Sequence, residues 1–124
     1  MVDIAKVAWD DPRVLQVSGL FDTRYPDLEF YLALARPDRP VGYVACRAWY
    51  GMLEIHLIVT SAAYEQRGVA RQLLYHVMSL YPTGDVRAIG CTVEGRGFFD
   101  ALGFEESYDG LDDMVLARET YKEA

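Results

Sequence analysis

The sequence predicts an α+β domain, a mixed and mostly antiparallel sheet flanked by helices. Three observations predict it. Residues 29–59 hold three strand-like segments in quick succession, separated only by short turn clusters. Residues 68–80 then switch to apolar positions three and four apart, the period of an amphipathic helix. The 124 residues are near the size of one compact domain and too few for two separate cores, so residues 1–124 are expected to share one.

Taken in order, Val2 to Ala8 reads as a short first strand of weak alternation. Asp11-Pro12 opens a helix with an acidic N-cap and proline at the first helical position. Val14, Val17, Leu20 and Phe21 give that helix one apolar face, and Tyr25-Pro26 ends it. Glu29 to Arg36 is a strand rich in aromatic and aliphatic residues, and the turn cluster from Arg36 to Pro40 sends the chain back through Val41 to Trp49. After Tyr50-Gly51, Met52 to Val59 reads as a third strand, and the three are expected to form an antiparallel meander. In the helix from Gly68 to Leu80, Ala70, Leu73, Leu74, Val77, Met78 and, just beyond it, Tyr81 share the apolar side. Arg71, Gln72, His76 and Ser79 fall opposite. Pro82 to Gly84 stops it. Val86 to Val93 is a further strand and Gly95 to Leu102 a short helix, and Gly103-Phe104 leads into a final pair around Asp109-Gly110.

Composition narrows the function. Hydrophobic residues are 52% and charged residues 25%, an ordinary globular mixture. No apolar run approaches the ~20 residues of a membrane span, and the N-terminus lacks the basic-then-apolar pattern of a secretion signal. A soluble, cytoplasmic protein with no membrane association is expected. The net charge of −7 argues against a nucleic-acid coat. The imbalance lies in the last third: residues 94–124 carry nine acids against three bases. Such a surface attracts a cationic small molecule or basic peptide, or simply keeps the protein in solution. Cys46 and Cys91 stand 45 positions apart with no CxxC and no clustered histidine, so no metal site is expected and each reads as a small buried hydrophobe.

The stretch from Glu54 to Leu74 carries the chemistry. A strand ends at Val59, a polar loop follows, and a helix begins near Gly68, with Arg67 before the glycine and Arg71 after it. The first amides of a helix have no carbonyl partners, and its dipole places partial positive charge there. Glycine lets an anion approach the backbone, and two guanidiniums can pair with phosphate oxygens. The pattern suits a pyrophosphate cradle, or an ordinary helix start with solvated arginines. Glu54 sits in the middle of an apolar strand, where burial is expected to raise its pKa toward that of a useful base. An exposed or salt-bridged glutamate is the other reading. His56, two residues on, shares its face and can relay a proton or be packed and hydrogen-bonded.

The passage Glu65-Gln66-Arg67-Gly68-Val69-Ala70 resembles the acetyl-CoA motif of the GNAT N-acetyltransferase superfamily, [QR]-x-x-G-x-[GA]. Downstream, Phe98-Phe99-Asp100-Ala101-Leu102-Gly103-Phe104 is similar to the family's F-Y-x-x-x-G-F element, in the family's order and with one strand between the two. The resemblance covers roughly residues 28–118 and implies a GNAT-like sheet with a splayed central strand pair. Acetyl-CoA would then lie as co-substrate where the Met52–Val59 and Val86–Val93 strands part. Backbone groups of Ile58 and Val59 would hold the pantetheine and acetyl carbonyl, and the amides of Gln66, Arg67, Gly68, Val69, Ala70 and Arg71 the pyrophosphate. The resemblance also implies that Glu54 is the catalytic base, because the histone-acetyltransferase branch places its glutamate fourteen residues ahead of the motif's first glycine.

Two residues depart from the pattern. Glu65 stands where the family prefers Gln or Arg and puts negative charge beside the phosphates. Phe99 stands where the family usually has a tyrosine that protonates the departing thiolate, so water or Tyr108 would have to serve. The expected activity is acetyl transfer from acetyl-CoA to a primary amine by direct attack in a ternary complex. The acidic last third would recruit a cationic acceptor. The alternative, motivated by Glu65 and Phe99, is a non-catalytic acyl-CoA-binding or interaction module. Related folds pair through their C-terminal strands, which by analogy allows a homodimer.

Overall fold

The order of elements expected from the sequence is the order the chain adopts. The computed structural model describes residues 2–18, 27–36, 38–64, 68–81, 84–91, 93–107 and 112–118. The strands are β1 (Asp3–Val7), β2 (Glu29–Ala35), β3 (Arg39–Trp49), β4 (Met52–Thr60), β5 (Val86–Ala88), β6 (Glu105–Glu106) and β7 (Met114–Leu116). The helices are α1 (Pro12–Ser18), α2 (Val69–Leu80) and α3 (Val93–Ala101), with a single 3-10 turn at Ala62–Tyr64. They build a seven-stranded sheet in the order β1-β2-β3-β4-β5-β7-β6. Every neighbouring pair is antiparallel except β4 and β5, which run parallel.

Local chemistry explains the boundaries. Asp11 caps α1 by accepting the Arg13 backbone N–H at 2.9 Å, and Pro12 takes the first helical position, where a missing N–H costs nothing. Leu20, Phe21 and the stop at Tyr25-Pro26 lie outside the described residues. The β3–β4 hairpin turns through Tyr50 and Gly51, both with positive φ (51° and 77°), the conformation a two-residue turn needs. β5 is much shorter than the expected strand to Val93. It ends at Ala88 because Gly90 turns to φ 63° and gives its N–H to Asp113 Oδ1 at 2.9 Å, which leaves the chain free to start α3.

The sheet separates two apolar clusters. On one face α2 packs Val69, Leu73, Leu74 and Val77 against Val41, Val44, Leu53 and Ile55. On the other, Val14 of α1 meets Phe30, Leu32, Tyr43 and Ala45. His76, expected on the polar side of α2, is half-buried with its ring 5.8 Å from that of Tyr31. Cys46 is buried as expected, and burial pushes its thiol up to about 12. Gly42 of β3 allows the close seating of α2. A Cβ there would lie 2.9 Å from Val59 O and 2.9 Å from Val69 Cγ1. Among the described residues no helix is long and apolar enough to cross a membrane.

Candidate active site

The sheet opens between β4 and β5. Their pairing covers only Leu53 to Ile55 against Val86 to Ala88. Leu53 N–H donates to Asp85 O and Ile89 N–H donates to Ile55 O, each at 2.9 Å, so odd residues in this half of β4 turn their peptide groups toward β5. The register against β3 then steps from Cys46↔Ile55 to Ala45↔Leu57, leaving His56 as an extra residue in a bulge. Past the bulge the phase is reversed: Ser61 N–H donates to Val41 O at 2.9 Å, so odd residues now serve β3. By the same alternation the peptide groups of Ile58 and Thr60 face the gap. Of the two residues expected to offer backbone groups, Ile58 does so. Val59 turns its own toward Tyr43, its partner on β3.

The gap widens into a cleft of about 1100 Å³, walled by residues 55–60 of β4, the start of α2, the end of β5 and the α3 residues Gly95, Phe98 and Phe99. The α2 N-terminus opens onto it. Gly68 holds a left-handed conformation (φ 82°, ψ 8°), among the described residues no side chain caps the helix, and its first turn carries no acid. Its first internal bond runs from Gln72 N–H to Gly68 O, so the amides of Val69, Ala70 and Arg71 stand ahead of the ladder. Arg71 borders the cleft beside them. Glu65, Gln66 and Arg67, the first half of the expected cradle and its suspect acid, lie outside the described residues, as does Tyr108.

Glu54 occupies the α1 face of the sheet, with only 12% of its side chain exposed. Its Oε1 accepts from Arg47 Nε at 2.8 Å and lies 3.1 Å from His56 Nε2. Burial alone pushes this carboxyl up, as the sequence suggested, but the hydrogen bonds and charges of Arg47 and His56 outweigh it. The net shift is downward from the ordinary glutamate value. The expectation of a raised pKa is therefore corrected: the Arg47 cation directly opposite on β3 holds Glu54 ionised. Arg47 is itself placed from two other sides, with its guanidinium 4.1 Å from the Trp49 ring centroid and 3.5 Å from Asp27 Oδ2. Sequence reasoning missed Arg47, although counting outward from the Tyr50-Gly51 turn sets it opposite Glu54.

Phe99 is buried, its ring 4.9 Å from Phe104 and 5.0 Å from Phe98, and it brings no proton to the cleft. Groups with O–H or S–H on the cleft wall are Thr60, Tyr64 and Cys91. Cys91 is half-buried rather than a core residue, and burial raises its thiol pKa. Across the sheet, Glu54, Arg87, Val115 and Glu105 pair in one row. A second hollow of about 660 Å³ runs along this edge, bordered by Arg87, Glu105, Glu106 and Val115. Arg87 faces Asp113 at 3.3 Å. Among the described residues no three histidines, cysteines or acids gather as metal ligands.

A β4–β5 gap facing a helix N-terminus is the arrangement the sequence motif implied, and comparison with known proteins decides the family. The sequence model of the acetyltransferase (GNAT) family matches residues 2–104. The chain belongs to the GNAT acetyltransferase family. No curated protein sequence matches it. Among solved structures it is similar to an acetyltransferase from Thermus thermophilus, with TM-score 0.76 and 22% identity over 95% of this chain and 97% of that one. It is similar also to the PaiA N-acetyltransferase of Thermoplasma acidophilum, solved in complex with coenzyme A (TM-score 0.74, 13% identity, 97% and 99% covered). A third GNAT relative is the ribosomal-protein-S18-alanine N-acetyltransferase of Escherichia coli (TM-score 0.70, 14% identity, 100% and 99% covered). At these identities the likeness is one of fold.

Proposed function

We propose that this GNAT protein transfers acetyl from acetyl-CoA to a primary amine, which attacks directly within a ternary complex. The observation that carries the reading is the gap in the sheet, with the Ile58 peptide groups on one wall and the glycine-started α2 N-terminus on the other. The residues fit the co-substrate: oriented N–H groups and Arg71 suit the pyrophosphate, and the apolar walls from Ile55, Leu57 and Phe98 suit the pantetheine. Gln66 and Arg67 are proposed to extend the phosphate site on sequence grounds. The amine would approach from the α1 face, where His56 borders the gap with Glu54 hydrogen-bonded beside it, and this pair would manage its proton. In the hollow along the sheet edge Arg87 is paired with Asp113, and Glu106 with Arg96 at 2.6 Å. It is therefore Glu105, with the acidic last third of the chain, that favours a cationic acceptor such as a polyamine, a lysine side chain or an amino sugar.

Thiol release from acetyl-CoA in the presence of polyamines, lysine peptides and amino sugars tests the reading. Turnover that depends on one of these amines, with an acceptor KM that rises with salt, is the expected result. The second reading, a non-catalytic acyl-CoA-binding module, is favoured by Phe99, which leaves the thiolate without the family's phenol. Acetyl-CoA binding without turnover of any amine supports that reading and overturns the first.

A further inference from the structure

The geometry points to a division of labour between two neighbouring side chains: Nδ1 of His56 takes the amine's proton, while Glu54, fastened by Arg47, is a positioning residue that fixes the ring. This deepens the acetyl-transfer reading and rests on it.

The argument starts from hydrogen-bond bookkeeping. Glu54 Oε1 already accepts from Arg47 Nε, and His56 Nε2 lies 3.1 Å from the same oxygen. A carboxylate held ionised by a guanidinium only accepts, so the ring nitrogen facing it must be the one that carries hydrogen. A neutral imidazole has one N–H. With that hydrogen on Nε2, the basic lone pair sits on Nδ1. Among the described residues no group hydrogen-bonds Nδ1.

Position agrees with protonation. His56 is the extra residue of the β4 bulge and borders the cleft next to Ile58, whereas Glu54 is not among the residues that line it. Glu54 therefore stands behind the ring, seen from the gap. A carboxylate whose pKa is lowered is also a weak base, so the pair works best with the imidazole in front. Arg47 acts one step further back. Opposed to Glu54 in the ladder and stacked on Trp49, it holds the carboxylate in the one place that orients the ring.

The proton and electron balance is simple. Nδ1 takes one proton from the incoming alkylammonium and leaves a neutral amine with its lone pair free. The new N–C bond forms at the acetyl carbonyl carbon as the C–S bond breaks, and the bonding electrons leave with sulfur. The nitrogen sheds a second proton and the sulfur gains one, so the products are the amide, the thiol and the proton that His56 returns to solvent.

The chain has two histidines, His56 and His76, so ring nitrogen-15 NMR can be assigned with His76→Gln. The wild-type His56 ring is expected in the Nε2–H form. That bias should be lost in Glu54→Gln, whose amide can donate as well as accept. An Nδ1–H ring, or no response to Glu54→Gln, overturns the proposal. In amine-dependent thiol release, His56→Asn should lower kcat at least ~100-fold with amine KM little changed, and Glu54→Gln roughly tenfold. The reverse order overturns the division of labour alone. A wild-type protein that acetylates no amine overturns the acetyl-transfer reading and the proton's role with it.

Discussion

Gly42→Ala probes how α2 is brought to the gap. The Cβ of an alanine would sit 2.9 Å from Val59 O, 2.9 Å from Val69 Cγ1 and 3.3 Å from Leu73 Cδ1. Side chains can rotate away, but the Val59 carbonyl is fixed by its place in β4. The helix must therefore lift at its first turn, where Val69 is buried. Overpacking of this kind costs about 1–3 kcal/mol. At ~2 kcal/mol, a domain of this length should melt roughly 6–10 °C lower. Lifting the first turn also moves the amides of Val69, Ala70 and Arg71 away from the cleft. The melting-temperature rise caused by acetyl-CoA should then shrink along with basal stability. Thermal melts of both proteins, with and without acetyl-CoA, give the two numbers. A variant that melts within a degree of wild type and keeps its full ligand-dependent rise refutes the claim that Gly42 seats the helix.

Three further outcomes follow from the same structure. Gly68→Ala adds a Cβ that meets nothing within 4 Å, so its effect is conformational: a left-handed alanine costs about 1–2 kcal/mol, read as a lower melting temperature and weaker acetyl-CoA binding by calorimetry. Arg118 donates to Gly84 O at 2.8 Å, Met78 O at 3.1 Å and Tyr81 O, closing the C-terminal end of α2; Arg118→Ala should lose about 1.5–3 kcal/mol in urea unfolding. Because Glu54 has a depressed pKa in the fold, its contribution to stability is full above the ordinary value of 4.5. It fades as pH falls through the lower folded value, so acid unfolding curves of wild type and Glu54→Gln should converge at the acid end.

Much of this was legible in the sequence because it is local. The Asp11-Pro12 cap, the Tyr50-Gly51 turn and the period of α2 depend on residues a few positions apart, and each folds as its chemistry predicts. The end of β5 was not legible, since Gly90 leaves the strand through a bond to Asp113, 23 residues away. The bulge at His56 was hidden for a related reason. Register is set by which side chains β3 and β4 bury together, and a one-residue slip reverses every face beyond it. That reversal is why Ile58 rather than Val59 opens its peptide groups to the gap. The sign of the Glu54 shift failed differently: burial was correctly anticipated, but the cation that outweighs it sits on the neighbouring strand. Arg47 could have been found by extending the hairpin register three residues back from its turn.

The central claim is that the β4–β5 gap and the α2 N-terminus form a working acetyl-CoA site. Melting the purified protein with and without about 1 mM acetyl-CoA tests it most directly. Ligand at ~100 times its dissociation constant adds about 2.7 kcal/mol, or roughly 8–13 °C for a chain of this length. A rise of that order, reduced in Gly68→Ala, is the predicted result. An unchanged melting temperature for the wild-type protein would contradict it.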